Sequence, residues 1–235
     1  MTAAERPRPS APGRWLRVLP RVVCHSDAMT VTAADLDEAI GFAAATLGPL
    51  GDGDWTRPAG ELDWDCRATA EHLGDVLLSY ASQVVSGPAD HYVRFLATAD
   101  AGASPADLLE FVVAAGRLLA SAVRTAGPQA RAYHPSGSAD PAGFAAMGCA
   151  ELLMHAEDIA RGQRGQETVL DAPGEVCARV VARLFPEQEP ALRGAATAWD
   201  ALRWCTGRIA LPGRPRRGEW AWHGEPLEDS SRTRP

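Results

Sequence analysis

The chain has 235 residues, 46% of them hydrophobic, so it is long enough to bury a substantial core. Its net charge of −7 argues against a nucleic-acid-binding or membrane-surface protein, because such proteins usually present a basic face. It contains no apolar run of about 18 residues, so no transmembrane helix is expected.

The five cysteines are scattered and show no CxxC spacing, which excludes a disulfide framework and a thiolate zinc site. A reducing cytosol is therefore the expected location. All 23 basic residues are arginine, and with the abundant alanine, glycine and proline this indicates a GC-rich genome. Residues 1–28 are rich in proline and arginine and are expected to form a disordered extension. Met29 is an alternative candidate for the translation start, in which case the first 28 residues would result from a misassigned start.

Helical periodicity dominates the rest of the chain, and Gly-Pro pairs punctuate it. The first helix is expected to be capped by Thr32 or Asp35 and the second by Asp63 or Asp65. Ser104, followed by proline at the first helical position, opens the third. The predicted helices cover about residues 32–47, 66–85, 91–98, 105–125, 142–161, 175–185 and 189–207.

These elements predict an all-α protein. Four long helices within residues 29–165 form a four-helix bundle, and bundles place metal sites between facing helices. Residues 166–235 are expected to form a short helical C-terminal extension and a tail. Within the tail, residues 218–227 alternate in character and predict a short strand or an extended arm. Its tryptophans, Trp220 and Trp222, are expected to pack against the bundle.

The fourth long helix carries two side chains that can bind a metal. Glu151 and His155 are four residues apart, so they lie one helical turn from each other. Glu151 borders the apolar stripe of this helix, and a carboxylate facing a core needs a partner because burying it alone is costly. A divalent cation shared with His155 would be such a partner. The alternative is an ordinary surface pair. The stripe consists of Phe144, Gly148, Leu152 and Ile159.

A third ligand is expected from another histidine. His72 is the only other histidine on the apolar face of a long predicted helix, between Thr69 and Val76. With Glu151 and His155 it would give a set of two imidazoles and one carboxylate, with a position left open for water or a ligand. A satisfied core histidine is the alternative. The remaining histidines fall in loops or tails: His25, His91, His134 and His223.

Two motifs carry a family resemblance. Trp64, His72 and Leu73 match a Trp-x7-His-Leu signature, and residues 151–158 match Glu-x3-His-x2-Asp. The chain therefore resembles the DinB-like superfamily over roughly residues 31–162 and, more narrowly, the metal-binding domain of mycothiol-dependent maleylpyruvate isomerases. The resemblance implies a four-helix bundle in which His72, Glu151 and His155 hold a divalent metal, typically zinc. It also fits an actinobacterial source. Glu157 is a departure, because many relatives carry an aromatic residue there.

The resemblance implies that the metal activates a low-molecular-weight thiol, such as mycothiol, toward a small electrophilic substrate. The reaction would be an isomerisation or an S-transfer. The protein needs no nucleophile of its own, since Cys66 and Cys149 each lie six residues before a ligand histidine and point away from the ligand face.

Asp158 is a candidate for orienting a ligand or binding an arginine. Arg208 and Arg214 are candidates for receiving an anionic substrate. Two other functions stay open: a non-catalytic metal- or thiol-binding sensor or partner protein, and a helical scaffold without metal. A monomer or homodimer without nucleic-acid or membrane partners is expected.

Overall fold

The computed structural model describes residues 30–189 and 197–227. These residues form helices joined by loops and contain no β-strand. The all-α prediction is therefore confirmed. The proposed extension over residues 1–28 lies outside the described residues. The helices are α1 (Ala33–Leu47), α2 (Cys66–Ser86), α3 (Pro105–Thr125), α4 (Pro141–Arg164), α5 (Gly174–Leu184) and α6 (Ala198–Cys205), with a short 3-10 turn at Gly48–Leu50.

The helices begin where polar side chains satisfy the free backbone N–H groups of the first turn. The Asp65 carboxylate accepts a hydrogen bond from Ala68 N at 2.7 Å and so caps α2. Asp140 caps α4 in the same way, accepting from Gly143 N at 2.8 Å. Ser104 caps α3 ahead of a proline, as the sequence predicts. These caps fix the starts of the two helices that carry the candidate ligands.

Helices α1 to α4 form the bundle, in which α2 packs mainly on α3 and α1 mainly on α4. The buried stripe of α4 faces the other three helices. Gly148 marks the closest approach, because a Cβ atom there would lie 2.6 Å from Leu119 Cδ2 and 3.0 Å from Leu36 Cδ2. None of the helices in the described ranges is both long and apolar enough to cross a bilayer.

The C-terminal extension adds α5 against α4 and α6 against α5, and then a tail that returns across the bundle. Arg183, only 5% exposed, ties the tail down. Its guanidinium donates to the carbonyl oxygens of His223 and Gly224 and to Asp140 Oδ1, each at 3.0 Å. The described tail runs as an extended arm without a strand, which is one of the two forms predicted for residues 218–227.

The structure corrects one predicted helix. Residues 91–98 form no helix and have no regular secondary structure. Side chains of α2 satisfy the backbone of this segment: Val93 N donates to Gln83 Oε1 at 2.9 Å, and Ala97 N donates to Asp75 Oδ1 at 2.7 Å. The segment thus obtains from a neighbouring helix the hydrogen bonds that a helix would form internally. The predicted helix over residues 189–207 is seen only as α6, and residues 190–196 lie outside the described residues.

The loop between α1 and α2 packs onto the second half of α4. The indole of Trp55 is buried and donates to Leu50 O at 3.0 Å. Gly162 permits the contact with α4, because a Cβ atom there would lie 2.3 Å from Pro58 O. Near its end the loop carries Trp64, which lies beside α2 and the candidate metal site.

Candidate metal centre

The three predicted ligand residues come together between α2 and α4. One ligand atom from each of His72, Glu151 and His155 lies within 4.8 Å of the other two. Glu151 Oε2 is 3.2 Å from His155 Nε2 and 3.7 Å from His72 Nε2. Among residues 30–189 and 197–227, no other group of histidine, cysteine or acidic side chains converges in this way. The assignment of these three as metal ligands stays a prediction.

Asp158 contacts His155 on the side of the ring away from Glu151, and Arg208 binds Asp158. Asp158 Oδ2 lies 3.0 Å from His155 Nδ1, the ring nitrogen that faces away from Glu151. Arg208 binds the same carboxylate at two points, with Nη2 to Oδ2 at 2.6 Å and Nε to Oδ1 at 3.1 Å. A carboxylate that accepts the Nδ1 proton leaves Nε2 of a neutral imidazole unprotonated, as metal-binding histidines require. The guanidinium in turn fixes the carboxylate.

The electrostatics of the group keep Glu151 ionised. Burial raises the pKa of the Glu151 carboxyl, but hydrogen bonds and charges from His155 and His72 outweigh burial and lower the pKa well below its usual range. Burial likewise lowers the pKa of His155, yet the Asp158 and Glu151 carboxylates raise it to about 9. In the metal-free protein His155 is therefore protonated on both ring nitrogens, and positively charged, at neutral pH. A bound cation would take the place of that proton.

Tyr80 holds the second oxygen of Glu151. Its hydroxyl lies 3.3 Å from Glu151 Oε1, and the residue is only 3% exposed. Burial, and then the negative charge of Glu151, raise the pKa of Tyr80 well above its usual value, so the hydroxyl remains a donor. Oε1 is thereby occupied, and Oε2 is the oxygen left facing the two histidines.

Trp64 lies against His72. The two ring centroids are 4.9 Å apart, and the indole is 46% exposed. The His72 and His155 rings meet edge to face, with centroids 5.3 Å apart. The Trp-x7-His spacing thus places an aromatic ring on the solvent side of one candidate ligand.

A cavity of about 790 Å³ opens beside the three candidate ligands. We call its bundle side the floor and the tail residues 206–222 that border it the roof. The floor includes Trp64, His72, Ala150, Glu151, Met154 and His155, and the roof contributes Thr206, Gly207, Arg208, Arg216, Arg217, Gly218, Trp220 and Trp222. The candidate ligands therefore face a space that is large enough for a small-molecule ligand.

Two further sequence expectations concern arginines. Arg208 lines the cavity, but its guanidinium is engaged by Asp158. Arg214 does not border the cavity and lies over the Trp204 ring, with its Cζ 5.5 Å from the ring centroid. A role for either in receiving an anionic substrate stays a prediction.

The cysteines lie away from the ligand group, as expected from their spacing. Cys66 and Cys149 are free and buried, and neither belongs to the converging group. Burial, followed by nearby acidic charge, raises the pKa of Cys149 well above its usual value. Burial also raises the pKa of Cys66, against a hydrogen bond from Gln163. Neither thiol has the lowered pKa of a catalytic nucleophile.

Glu157, the departure from the family motif, points away from the site. It is 1% exposed, and its Oε1 lies 3.0 Å from Arg203 Nε on α6. An acidic residue at this position therefore pairs α4 with the C-terminal extension. Burial raises the pKa of the Glu157 carboxyl, although the Arg203 charge opposes this.

The donor set fits a divalent cation on three grounds. Two imidazoles and one carboxylate are ligands that zinc commonly takes in sites with an open position. His155 has the acceptor behind its other ring nitrogen that such ligands usually have. In the metal-free protein the ionised carboxylate is neutralised by the extra proton of His155, which a bound cation can replace.

Sequence reasoning missed Tyr80 and, apart from Arg208, the roof as parts of the site. Tyr80 lies eight residues, about two helical turns, after His72 on the same face of α2, so its spacing carried a usable signal. The roof had no comparable signal. Its irregular backbone shows no periodicity, and only the alternation of Trp220 and Trp222 predicted that the two side chains share a face.

Comparison with known proteins agrees with the motifs. The family model described as mycothiol maleylpyruvate isomerase N-terminal domain matches residues 36–160, which is more than half of the chain. No curated protein matches the chain, and no solved structure does. The matched range contains all three candidate ligands and stops before the roof. The chain therefore belongs to the mycothiol maleylpyruvate isomerase N-terminal domain family, and its bundle is a DinB-like helical domain.

Proposed function

We propose that this protein binds a divalent cation, best satisfied by zinc, through His72, Glu151 and His155. We further propose that it uses a low-molecular-weight thiol such as mycothiol either to isomerise a small electrophile or to form a thioether with it. The observation that carries the proposal is the convergence of three ligand atoms, within 4.8 Å of one another, at the floor of a 790 Å³ cavity. The family to which residues 36–160 belong supports the choice of thiol.

The protein's own residues have distinct tasks in this proposal. His72, Glu151 and His155 hold the cation, which when bound lowers the pKa of a thiol so that its thiolate exists at neutral pH. Asp158 keeps the proton of His155 on Nδ1, and Arg208 keeps Asp158 in place. The electrophile would enter from the cavity. In an isomerase the thiol adds to an activated double bond, permits rotation and leaves, whereas in a transferase it stays on the product.

Zinc is favoured by the donor atoms. Imidazole nitrogens with one carboxylate suit a borderline cation, whereas magnesium and calcium prefer sites made of oxygen ligands alone. A site of three protein ligands also leaves a coordination position for a substrate atom. The four described cysteines are all free, which supports a reducing, cytoplasmic location. We propose bundle and extension boundaries at residues 29–165 and 166–235, and a monomer or homodimer.

Metal analysis of the purified protein tests the first half of the proposal. About one zinc ion per chain is expected, and less than about 0.2 per chain after incubation with excess zinc and desalting would reject it. The second half is tested by mixing zinc-loaded protein with mycothiol and a chlorinated aromatic electrophile. Formation of a thioether conjugate above the rate of the protein-free mixture is expected.

A non-catalytic thiol- or metal-binding protein is the alternative function. It is favoured if zinc and mycothiol bind but no conjugate or isomer forms across a panel of electrophiles. The open cavity beside the candidate ligands favours a site that takes up a thiol or substrate over a purely structural metal site, which is usually closed by a fourth protein ligand.

A further inference from the structure

The six tryptophans among residues 30–189 and 197–227 differ in what their indole N–H contacts, and buried Trp199, away from the cavity, donates to none of these residues. Trp55 and Trp204 pack within the protein, and each donates its N–H to a backbone carbonyl at 3.0 Å. Trp64, Trp220 and Trp222 line the cavity, and none of them donates to an acceptor within residues 30–189 and 197–227. The cavity therefore presents aromatic faces together with indole N–H groups that have no acceptor in the described part of the chain.

The roof holds its two tryptophans on one side of an extended segment. The Trp220 and Trp222 rings are 5.3 Å apart, and Trp220 also contacts Phe185 at 6.1 Å. Gly207, with φ of 71°, lets the segment fold back on itself, because a Cβ atom there would lie 2.7 Å from the carbonyl oxygen of Arg217. Trp220 nevertheless stays 37% exposed, so much of its indole is available to a ligand.

Two of the three arginines that line the cavity are paired with carboxylates. Arg208 is paired with Asp158, and Arg216 is paired with Glu61. Arg217 donates to Cys205 O at 3.2 Å and lies over the Trp204 ring. The Asp63 carboxylate also borders the cavity. Such a wall does not favour a polyanion. It favours an uncharged ligand that is rich in hydrogen-bonding groups.

The size of the cavity points the same way. A volume of about 790 Å³ is in the range that holds a drug-sized molecule and exceeds what a small electrophile alone would fill. An indole combines a flat apolar face with a polar N–H, so it suits ligands that carry both C–H faces and hydroxyl groups. Sugars and cyclitols have this character.

We propose that Trp220 and Trp222, with Arg217, form a subsite that binds the uncharged glycosidic part of the thiol co-substrate. The subsite would select such thiols over anionic ones. This inference rests on the proposed function. The roof lies beyond the part of the chain that the family model matches, so the matched domain would supply the metal chemistry and the tail would supply the selectivity.

Isothermal titration of the zinc-loaded protein with three thiols tests the proposal. Mycothiol carries N-acetylcysteine on an uncharged pseudodisaccharide, free N-acetylcysteine lacks the sugar, and bacillithiol carries a charged malate group. Trp220→Ala should weaken mycothiol binding about tenfold, the effect of losing one stacking contact, and leave N-acetylcysteine binding unchanged. Wild-type protein should bind mycothiol more tightly than bacillithiol.

Two further variants control the measurement. Trp220→Phe keeps an aromatic face and should retain most of the mycothiol affinity. Leu227→Ala changes a tail residue of similar exposure, 46%, that does not border the cavity, and it should bind all three thiols as the wild type does. Zinc content and melting temperature, measured for each variant, show that the bundle is intact. If Trp220→Ala unfolds, the comparison of Trp220→Phe with Trp220→Leu replaces it.

The possible outcomes separate the subsite from the function on which it rests. Equal losses for mycothiol and N-acetylcysteine, or no loss for either, would overturn the subsite while leaving thiol binding intact. A preference of the wild type for bacillithiol would also overturn it. If the wild-type holoprotein binds none of the three thiols, the proposed function fails, and the subsite fails with it.

Discussion

The floor and the roof of the cavity are built by different means. The floor comes from α2 and α4, where backbone hydrogen bonds fix the positions of His72, Glu151 and His155 at helical spacing. The roof has no regular structure and is held mainly by guanidinium groups: Arg208 on Asp158 at one end and Arg183 on the tail backbone at the other. A rigid floor suits a metal site, whereas an irregular roof can vary without disturbing it.

The Asp158 carboxylate links the two regions. Asp158 belongs to α4 and contacts a candidate ligand, yet its other partner, Arg208, begins the tail. The difference between floor and roof therefore predicts a gradient. Changes at the candidate ligands should abolish metal binding, changes at the junction of Asp158 with Arg208 should weaken it, and changes elsewhere in the roof should leave it intact.

His72→Ala should have the largest effect on metal binding. Removing one of the three candidate ligands is expected to weaken zinc binding more than 100-fold, because the remaining pair lies on one helix and cannot enclose a cation. Zinc content after dialysis, measured by mass spectrometry, should fall from about one to below about 0.1 per chain. His91→Ala, at an exposed histidine outside the group, is the matched control and should keep its zinc. Retention of zinc by the His72 variant would remove that residue from the site.

Asp158→Asn sharpens the comparison at the junction. An amide accepts a weaker hydrogen bond from His155 Nδ1–H and loses the charge that binds Arg208, so zinc affinity should fall about 10- to 100-fold. Competition with a coloured chelator measures the change. Arg208→Ala should cause a smaller loss, which Arg208→Lys partly restores. If Arg208→Ala costs as much as Asp158→Asn, the roof contributes more to the metal site than this gradient allows.

His134 gives a pH dependence to the contact between tail and bundle. Burial, opposed by the charge of Glu151, lowers the pKa of this histidine to about 4. It contacts the rings of Tyr80, Phe144 and Trp222. The unfolded chain takes up a proton below about pH 6.5, whereas the folded protein does not until about pH 4, so stability falls as the pH drops through this interval.

The loss from this histidine should reach about 2 kcal/mol at pH 5 relative to pH 8. Urea denaturation of metal-free protein at both pH values measures it, and the metal-free form avoids the separate effect of zinc release. A His134→Leu variant should show a correspondingly smaller difference between the two pH values. An unchanged difference in that variant would show that His134 is not a source of the acid sensitivity.

Tyr80→Phe should have the smallest effect. The substitution removes only the hydroxyl that donates to Glu151 Oε1, and losing one such hydrogen bond is worth about 1 kcal/mol, or roughly a fivefold loss of zinc affinity. The chelator competition assay has the required sensitivity. Tyr133→Phe is the matched control, since this tyrosine contacts Tyr92 and not Glu151. A loss of equal size in both variants would show that the hydroxyl does not position the carboxylate.

The sequence by itself determined the helices and the three converging residues. The helical period sets which side chains share a face, so Glu151 and His155 had to lie next to each other. The apolar stripe around His72 indicated that this side chain faces the core. Cap residues such as Asp65 and Ser104 signalled where helices begin. These are local properties, and a linear pattern carries them.

Only the tertiary structure decided what surrounds those residues. The segment over residues 91–98 takes backbone hydrogen bonds from Gln83 and Asp75, side chains of another element, so its own sequence predicted a helix wrongly. The pairing of Arg208 with Asp158 spans 50 residues. The roof is held across the cavity because Arg183 binds the carbonyl group of His223, just after the roof. Contacts between distant residues leave no period in the sequence, because they depend on how the whole chain packs.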